Sequence, residues 1–393
     1  WAQVGNVTVN PYDVNLTYSI SGNTHSVNTG SYTLAGFSGG QRGATIPNPG
    51  LLPLTSTELE IGADLRFFQD RLGLDFTWYD QTTTDDILRA SISQGSGFNS
   101  TYVNVGELQN KGIEVLLYGT PVQGAFTWNV SLNFAKNNNE VVSLIEGAEE
   151  LSLEEPRTRT VRIKHLVGYP YGMITGWTQK TTPDGRLVYE EDGGPVQSDA
   201  YNIIGYGVPD FTGGLENTFT WKGINLSFLI DFKSGGDIYS GSNVRLTQRG
   251  LTEVSLQGRE GQEPLSVTGA IQTGETADGE PIYEDFSYTM EPNEARNYWN
   301  DLGNRAGENF TYDASFVKLR QLTLGYNFPQ SLIGNTPFTN ISLSFVGRNL
   351  WIIHKNTPNI DPEASYTSSN SQGMDYFGAL PVRSWGFNLR LGF

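Results

Sequence analysis

The last ten residues alternate without a break: Trp385, Phe387, Leu389, Leu391 and Phe393 fall on one side of an extended strand, and Ser384, Gly386, Asn388, Arg390 and Gly392 fall on the other. Period-two alternation of this kind marks a β-strand with one apolar and one polar face. It recurs at Leu59, Ile61, Ala63, Leu65 and Phe67, interleaved with Glu60, Gly62, Asp64 and Arg66, and again at Leu72, Leu74, Phe76 and Trp78. Phe126, Trp128, Val130, Leu132 and Phe134 form a further copy, as do Ile224, Leu226, Phe228, Ile230 and Phe232. Shorter versions stand at Ile113, Val115 and Leu117, at Leu322, Leu324, Tyr326 and Phe328, and at Ile341, Leu343 and Phe345. The chain is therefore expected to be all-β.

The connections between these strands alternate in length. Short joints are expected near Gln69 to Arg71, Thr120 to Gly124, Gly168 to Gly172, Lys222-Gly223 and Pro329 to Pro337. Long polar stretches rich in Gly, Ser, Asn and Asp lie between them: Thr8 to Leu51, Thr83 to Thr101, Asn139 to Thr158, Pro183 to Asp210, Gly236 to Thr311 and Ile352 to Leu380. Tight turns at one end and large loops at the other are how transmembrane antiparallel β-barrels are built. On this reading the chain holds about twelve strands, with residues 236–311 as one long extracellular loop. A soluble β-sandwich also alternates, but it favours compact, evenly spaced strands. Trp78, Tyr79, Tyr118, Trp128, Trp221, Tyr326, Phe328 and Trp385, near strand ends, suit the aromatic girdles of a membrane barrel.

Composition sharpens this picture. No run of about 18 apolar residues exists, so no transmembrane helix is expected, yet a barrel strand needs only about 9–11 residues, half of them apolar. The mean hydropathy of −0.35 is compatible with that. Glu60, Asp64, Arg66, Asp75, Glu114, Glu216, Asp231, Lys233 and Arg390 crowd the polar face, too many charges for a dry interior. A wet or plugged lumen is implied, of the kind found in transporters of about 22 strands. The net charge of −17, with no basic run interleaved with aromatics, argues against nucleic acid. Absence of cysteine removes disulfides and thiol chemistry. Trp1, without a charged leader before it, reads as an interior position of a longer precursor.

Several stretches carry a family resemblance. Tyr312 to Pro329 (YDASFVKLRQLTLGYNFP), Gly347-Arg348-Asn349-Leu350, Asp361-Pro362-Glu363, Pro381 and the terminal SWGFNLRLGF resemble the C-terminal end of the SusC/RagA family of TonB-dependent transporters. Glu107 to Glu114, Leu72 to Ile87 and the opening AQVGN are similar to that family in order and spacing. The resemblance implies that residues 1–393 are the C-terminal part of a plugged barrel of about 22 strands. It further implies a Bacteroidetes-type outer membrane, a SusD-like surface lipoprotein over the barrel, and a dimer of transporter-lipoprotein pairs. Import of oligosaccharides or peptides would be energised through TonB, whose contact box and plug belong to the upstream region. A non-transporting barrel that anchors surface proteins is the alternative function, and a secreted carbohydrate-binding protein is a third.

Catalysis has little support. His25, His165 and His354 lack partners at ligand spacing, and no nucleophile-elbow, Walker or dinucleotide motif is present. No cofactor or resident metal is expected. The turn with Asp184, Glu190, Glu191 and Asp192 offers hard oxygen ligands but lacks a full calcium-loop pattern, so a solvated turn is preferred. The longest loop mixes Tyr283, Phe286, Tyr288, Tyr298 and Trp299 with Asp301 and Arg305. Aromatic faces beside directional polar groups can form a substrate- or partner-binding surface. The same aromatics can equally pack as the loop's own core. Tyr366 and Tyr376 form a second candidate set in the final loop.

Overall fold

A computed structural model describes residues 1–6, 45–93, 100–145, 147–153, 158, 160–365 and 372–393. Ten strands follow one antiparallel path: Ala2–Asn6, Leu54–Phe67, Leu72–Ser91, Ser100–Val122, Phe126–Ser143, Phe211–Trp221, Ile224–Ser234, Phe316–Asn327, Asn340–Lys355 and Ser384–Gly392. Thr45–Ile46 joins alongside Ser100–Val122 as the eleventh strand of the sheet. The sheet is an all-β partial barrel wall close to the dozen strands that the alternation predicts.

Register aligns the two faces across the wall. Phe126, Trp221, Ile224, Tyr326, Leu343 and Leu389 are successive cross-strand partners, an apolar row over six strands. Ser131, Glu216, Leu229, Gln321, Arg348 and Ser384 form a largely polar row in the same way. A one-residue slip of any strand would turn its apolar set to the wrong face. The apolar face is bare: Trp385 is 58% exposed, Phe387 79% and Leu389 59%. A sandwich would bury that face against a second sheet, and an aqueous surface rarely carries such a band.

Both turn ends follow from local chemistry. Lys222 (φ 47°) and Gly223 (φ 88°) make the two-residue turn between Phe211–Trp221 and Ile224–Ser234, where both central residues of a tight hairpin need positive φ. Arg71 donates to the Thr120 carbonyl at 3.0 Å and the Pro121 carbonyl at 3.0 Å, tying two neighbouring short turns together. The short joints at 69–71, 120–124, 222–223 and 329–337 all lie at this end, together with the C-terminus.

Three expectations are corrected. Gly168 to Gly172 is not a barrel turn; it joins Val161–Leu166 to Met173–Gly176 inside a separate four-stranded sheet with Glu150–Ser152 and Asn202–Tyr206. Thr83 to Thr101 is not all loop, because the ladder continues through Ser91 and resumes at Ser100, with Thr82, Thr83 and Thr84 paired throughout. β-Branched threonines favour extended backbone whether or not a face is apolar. Tyr79 and Tyr118 lie on the polar face, opposite Gly112 and Gly73 respectively. A Cβ on either glycine would sit within 2.7 Å of the tyrosine ring, so each glycine gives its tyrosine room, and Tyr79 donates to Asn137 at 3.1 Å.

The buried core is in the long loops. Val161, Ile163, Ile174, Tyr189, Tyr239, Leu265, Met290, Trp299 and Phe310 cluster there with Leu88, Leu108 and Val141 from the tops of the wall strands. Placing Arg at Leu389 in the intact barrel is expected to cost roughly 2–4 kcal/mol of membrane stability, whereas Asn388→Arg on the polar face costs little. Heat-modified electrophoretic mobility of the two variants checks this.

Candidate functional site

The segment after Ser234 folds into a compact assembly at the long-loop end. It contains the strand Asp237–Ser240, helix α1 (Gly241–Gln248), a hairpin of Leu265–Glu275 and Pro281–Met290, and helix α2 (Pro292–Arg305). Ser240 caps α1 by accepting from the Asn243 amide at 3.0 Å, and its hydroxyl donates to Asp375 at 2.9 Å. For α2, Pro292 stands in the first turn and Glu291 and Glu294 form a capping box, which satisfies amides the helix leaves free. Ala295, Trp299, Leu302 and Gly303 supply its buried stripe at helical spacing.

Trp299 is the pivot of this assembly. It is buried, and its indole donates to the Gln257 carbonyl at 3.1 Å. Two grooves flank it, each of about 480 Å³, within the usual range for small-molecule sites. One lies between Gln248–Leu251, Arg259 and Arg296. The other is lined by Tyr298, Phe310 and Tyr312 with the amides of Asn243, Asn309 and Asn359. Burial pushes the phenols of Tyr298 and Tyr312 up to about 12, so both remain protonated donors.

The structure distributes the remaining candidates. Phe286 stacks with Tyr288 at 6.1 Å and with Tyr189 at 6.2 Å, packing the hairpin onto its neighbour, and Tyr288 donates to Glu294 at 2.9 Å. Tyr283 is half-buried on the outer hairpin strand. Asp301 pairs with Arg305 at 3.3 Å, and Arg305 donates to the Pro195 carbonyl at 3.0 Å, holding α2 against the acidic turn. Tyr376 accepts from Arg245 at 3.3 Å. Tyr366 lies outside the described residues, as does His25. His165 is wholly buried against Tyr171, and burial pushes its imidazole down to about 4. In the acidic turn Asp184 pairs with Arg186 at 2.7 Å and Asp192 accepts from Gly194 at 2.9 Å. Among the described residues no group of three or more metal-ligating side chains converges.

Sequence reasoning missed an ion cluster where the final loop meets the wall. Lys318 reaches Asp361 at 2.6 Å and Glu363 at 2.5 Å. Arg320 pairs with Glu363 at 2.8 Å and with Asp231. A register shift between Leu319 and Gln321 gives Arg320 its extra position on the strand. Phe316 lies beneath three cations, with Lys318 at 4.6 Å, Lys233 at 5.6 Å and Arg320 at 5.8 Å from its ring centre. The legible signal was two cations flanking Leu319 in an otherwise apolar-polar strand.

A lipid-type face, a charged opposite face and loops gathered at one end define a segment of a transmembrane β-barrel wall. Residues 8–350 match the model of the TonB dependent receptor-like β-barrel, and the chain belongs to that outer-membrane family. TonB-dependent receptor P3 of Formosa agariphila is 27% identical over 367 residues, covering 86% of this chain and 34% of the relative. TonB-dependent receptor SusC of Bacteroides thetaiotaomicron is 24% identical over 287 residues, covering 70% and 26%. The chain thus spans about a quarter to a third of the length of these curated relatives. The fold is similar to that of the RagAB peptide importer in its "closed-closed" state, with a TM-score of 0.68 at 20% identity over all of this chain and 40% of that one. The "open-open" state gives 0.67 at 19% identity, with 39% of that chain covered.

Breaking the ion cluster should release the final loop. Lys318 is nearly buried, so Lys318→Met is expected to cost roughly 3–5 kcal/mol, as removal of one partner from a buried pair does, and to expose residues 356–365 to protease. Burial raises the Glu363 carboxyl but hydrogen bonds from Arg320 and Lys318 outweigh it, leaving it below its usual 4.5. Its contribution is therefore complete above that value and is lost as pH falls through the lower folded value. Protease protection of the loop measured from pH 7 downward should hold to about pH 4.5 and then decline.

Proposed function

We propose that this chain forms the C-terminal part of an outer-membrane active importer, residing as a multi-pass barrel, that takes up oligosaccharides or peptides with a SusD-like lipoprotein and is energised through TonB. The observation that carries this reading is the placement of a folded, groove-bearing assembly on one end of a wall whose outer face is bare and apolar. Such a wall belongs in a bilayer, and a folded head at its mouth is suited to selection of cargo. RagAB, whose fold this chain resembles, is a peptide importer, which supports the same class of function here. Residues 236–311 lie in the extracellular head on this reading. No covalent step is assigned; affinity that differs between a loaded closed state and an emptied open one performs the transport. The dimer of transporter-lipoprotein pairs belongs to the same reading.

The groove beside α2 is the cargo- or partner-facing surface, with Tyr298 as its aromatic wall and the Asn243, Asn309 and Asn359 amides as its polar one. In the full-length protein with its lipoprotein, Tyr298→Ala should weaken cargo binding about two- to tenfold, the worth of one aromatic contact, while the barrel stays assembled. Uptake by the unmodified protein should stop when the proton-motive force is dissipated. Uptake that persists without it would sink the TonB assignment, and unchanged binding by the variant would sink the groove.

A further inference from the structure

A third groove, of about 280 Å³, lies where the wall meets the final loop, lined by Asp231, Phe232, Lys233, Asp237, Phe316 and Pro362 among others. It is just below the usual volume of a whole small-molecule site, about 300–1,000 Å³, and so is sized for one terminal unit of a longer cargo. Lys233 shares the polar face with Asp231 two residues before it; in register Lys233 faces Phe316 and Thr212, and Asp231 faces Lys318. Lys318 and Arg320 each have two carboxylates within reach. Among the described residues Lys233 has no ion pair; its ammonium lies 5.6 Å from the centre of the Phe316 ring. Asp231 and Glu363, which also line the groove, are already held by Arg320 and Lys318. Asp237 accepts from the Tyr206 amide at 3.1 Å, and burial, with Asp313 and Asp210 nearby, raises its carboxyl toward the neutral form.

Resting on the importer reading above, we propose that Lys233 forms a subsite for a carboxylate carried by the cargo, with Phe316, its partner in register, beside the attached group. Asp231, Asp361 and Glu363 are held by Arg320 and Lys318, and Asp313, the other acid that acts on Lys233, accepts from Ser315 and from Asn356 at 2.7 Å, which leaves the Lys233 ammonium for an anion entering from the mouth. Phe316 holds the ammonium beside the groove by cation–π attraction. A carboxylate there makes a charge-assisted hydrogen bond that a neutral amide or hydroxymethyl group does not match. The carboxylate can come from a peptide C-terminus or from a uronic acid.

The test uses the full-length transporter with its lipoprotein and two probe pairs: a short peptide against its C-terminal amide, and a uronic-acid oligosaccharide against its neutral counterpart. The unmodified protein should prefer the carboxylate member of one pair by about tenfold or more, and the pair that shows it names the source. Lys233→Gln should abolish that preference while leaving binding of the neutral member unchanged, and Lys233→Arg should retain it. A preference that survives Lys233→Gln, or equal binding of both members by the unmodified protein, overturns the subsite and leaves the importer standing. Binding of neither pair and no uptake would overturn both.

Discussion

Hydrocarbon offers a peptide group no hydrogen-bond partner, and the cross-strand ladder is the answer on which the rest of this structure depends. Within the membrane slab every amide and carbonyl must be met by the adjacent strand. The ladder therefore dictates register, and register dictates which side chains meet lipid. The row from Phe126 to Leu389 is apolar because six strands share one phase. The Lys222-Gly223 turn preserves that phase, since it reverses the chain with Trp221 paired directly to Ile224.

The head obeys the opposite rule. There the apolar residues turn inward, and Trp299, Ile174 and Tyr239 make a core of the kind found in a water-soluble domain. Head and wall join in two ways. Leu88, Leu108 and Val141 carry the wall's upper ends into the head's core, and the Lys318–Asp361–Glu363–Arg320 cluster fastens the last loop to the wall. The first joint is apolar and non-directional; the second is ionic and geometrically specific.

Much of the wall was legible in the chain because lipid imposes a strict period of two. The terminal strand, four tight turns and the one-sided distribution of long connections could be read directly. The head was not legible for physical reasons. Its strands are short and packed on both faces, so Val161–Leu166 shows no alternation, with Val161, Ile163, Lys164 and His165 all buried. Tyr79 was grouped with the girdle because an amphipathic ring suits either face, although its place one residue after Trp78 puts it on the polar side, where it pairs with Gly112. The ion cluster was hidden because its acids and its cations are some forty residues apart. The aromatic residues of 283–299 were visible as a group, but which of them build the core and which line a groove depends on how the hairpin and α2 fold together.

The division of apolar residues between a bare wall and a packed head has an evolutionary meaning. Lipid asks of the wall only that each outward position be greasy, so its outer residues can drift among Leu, Ile, Val and Phe with little consequence. The head asks for complementary shapes, so its core residues must change together. Because the two meet at strand tops and one ionic fastening, a lineage can exchange the head as a unit on an inherited wall without disturbing the face that meets lipid.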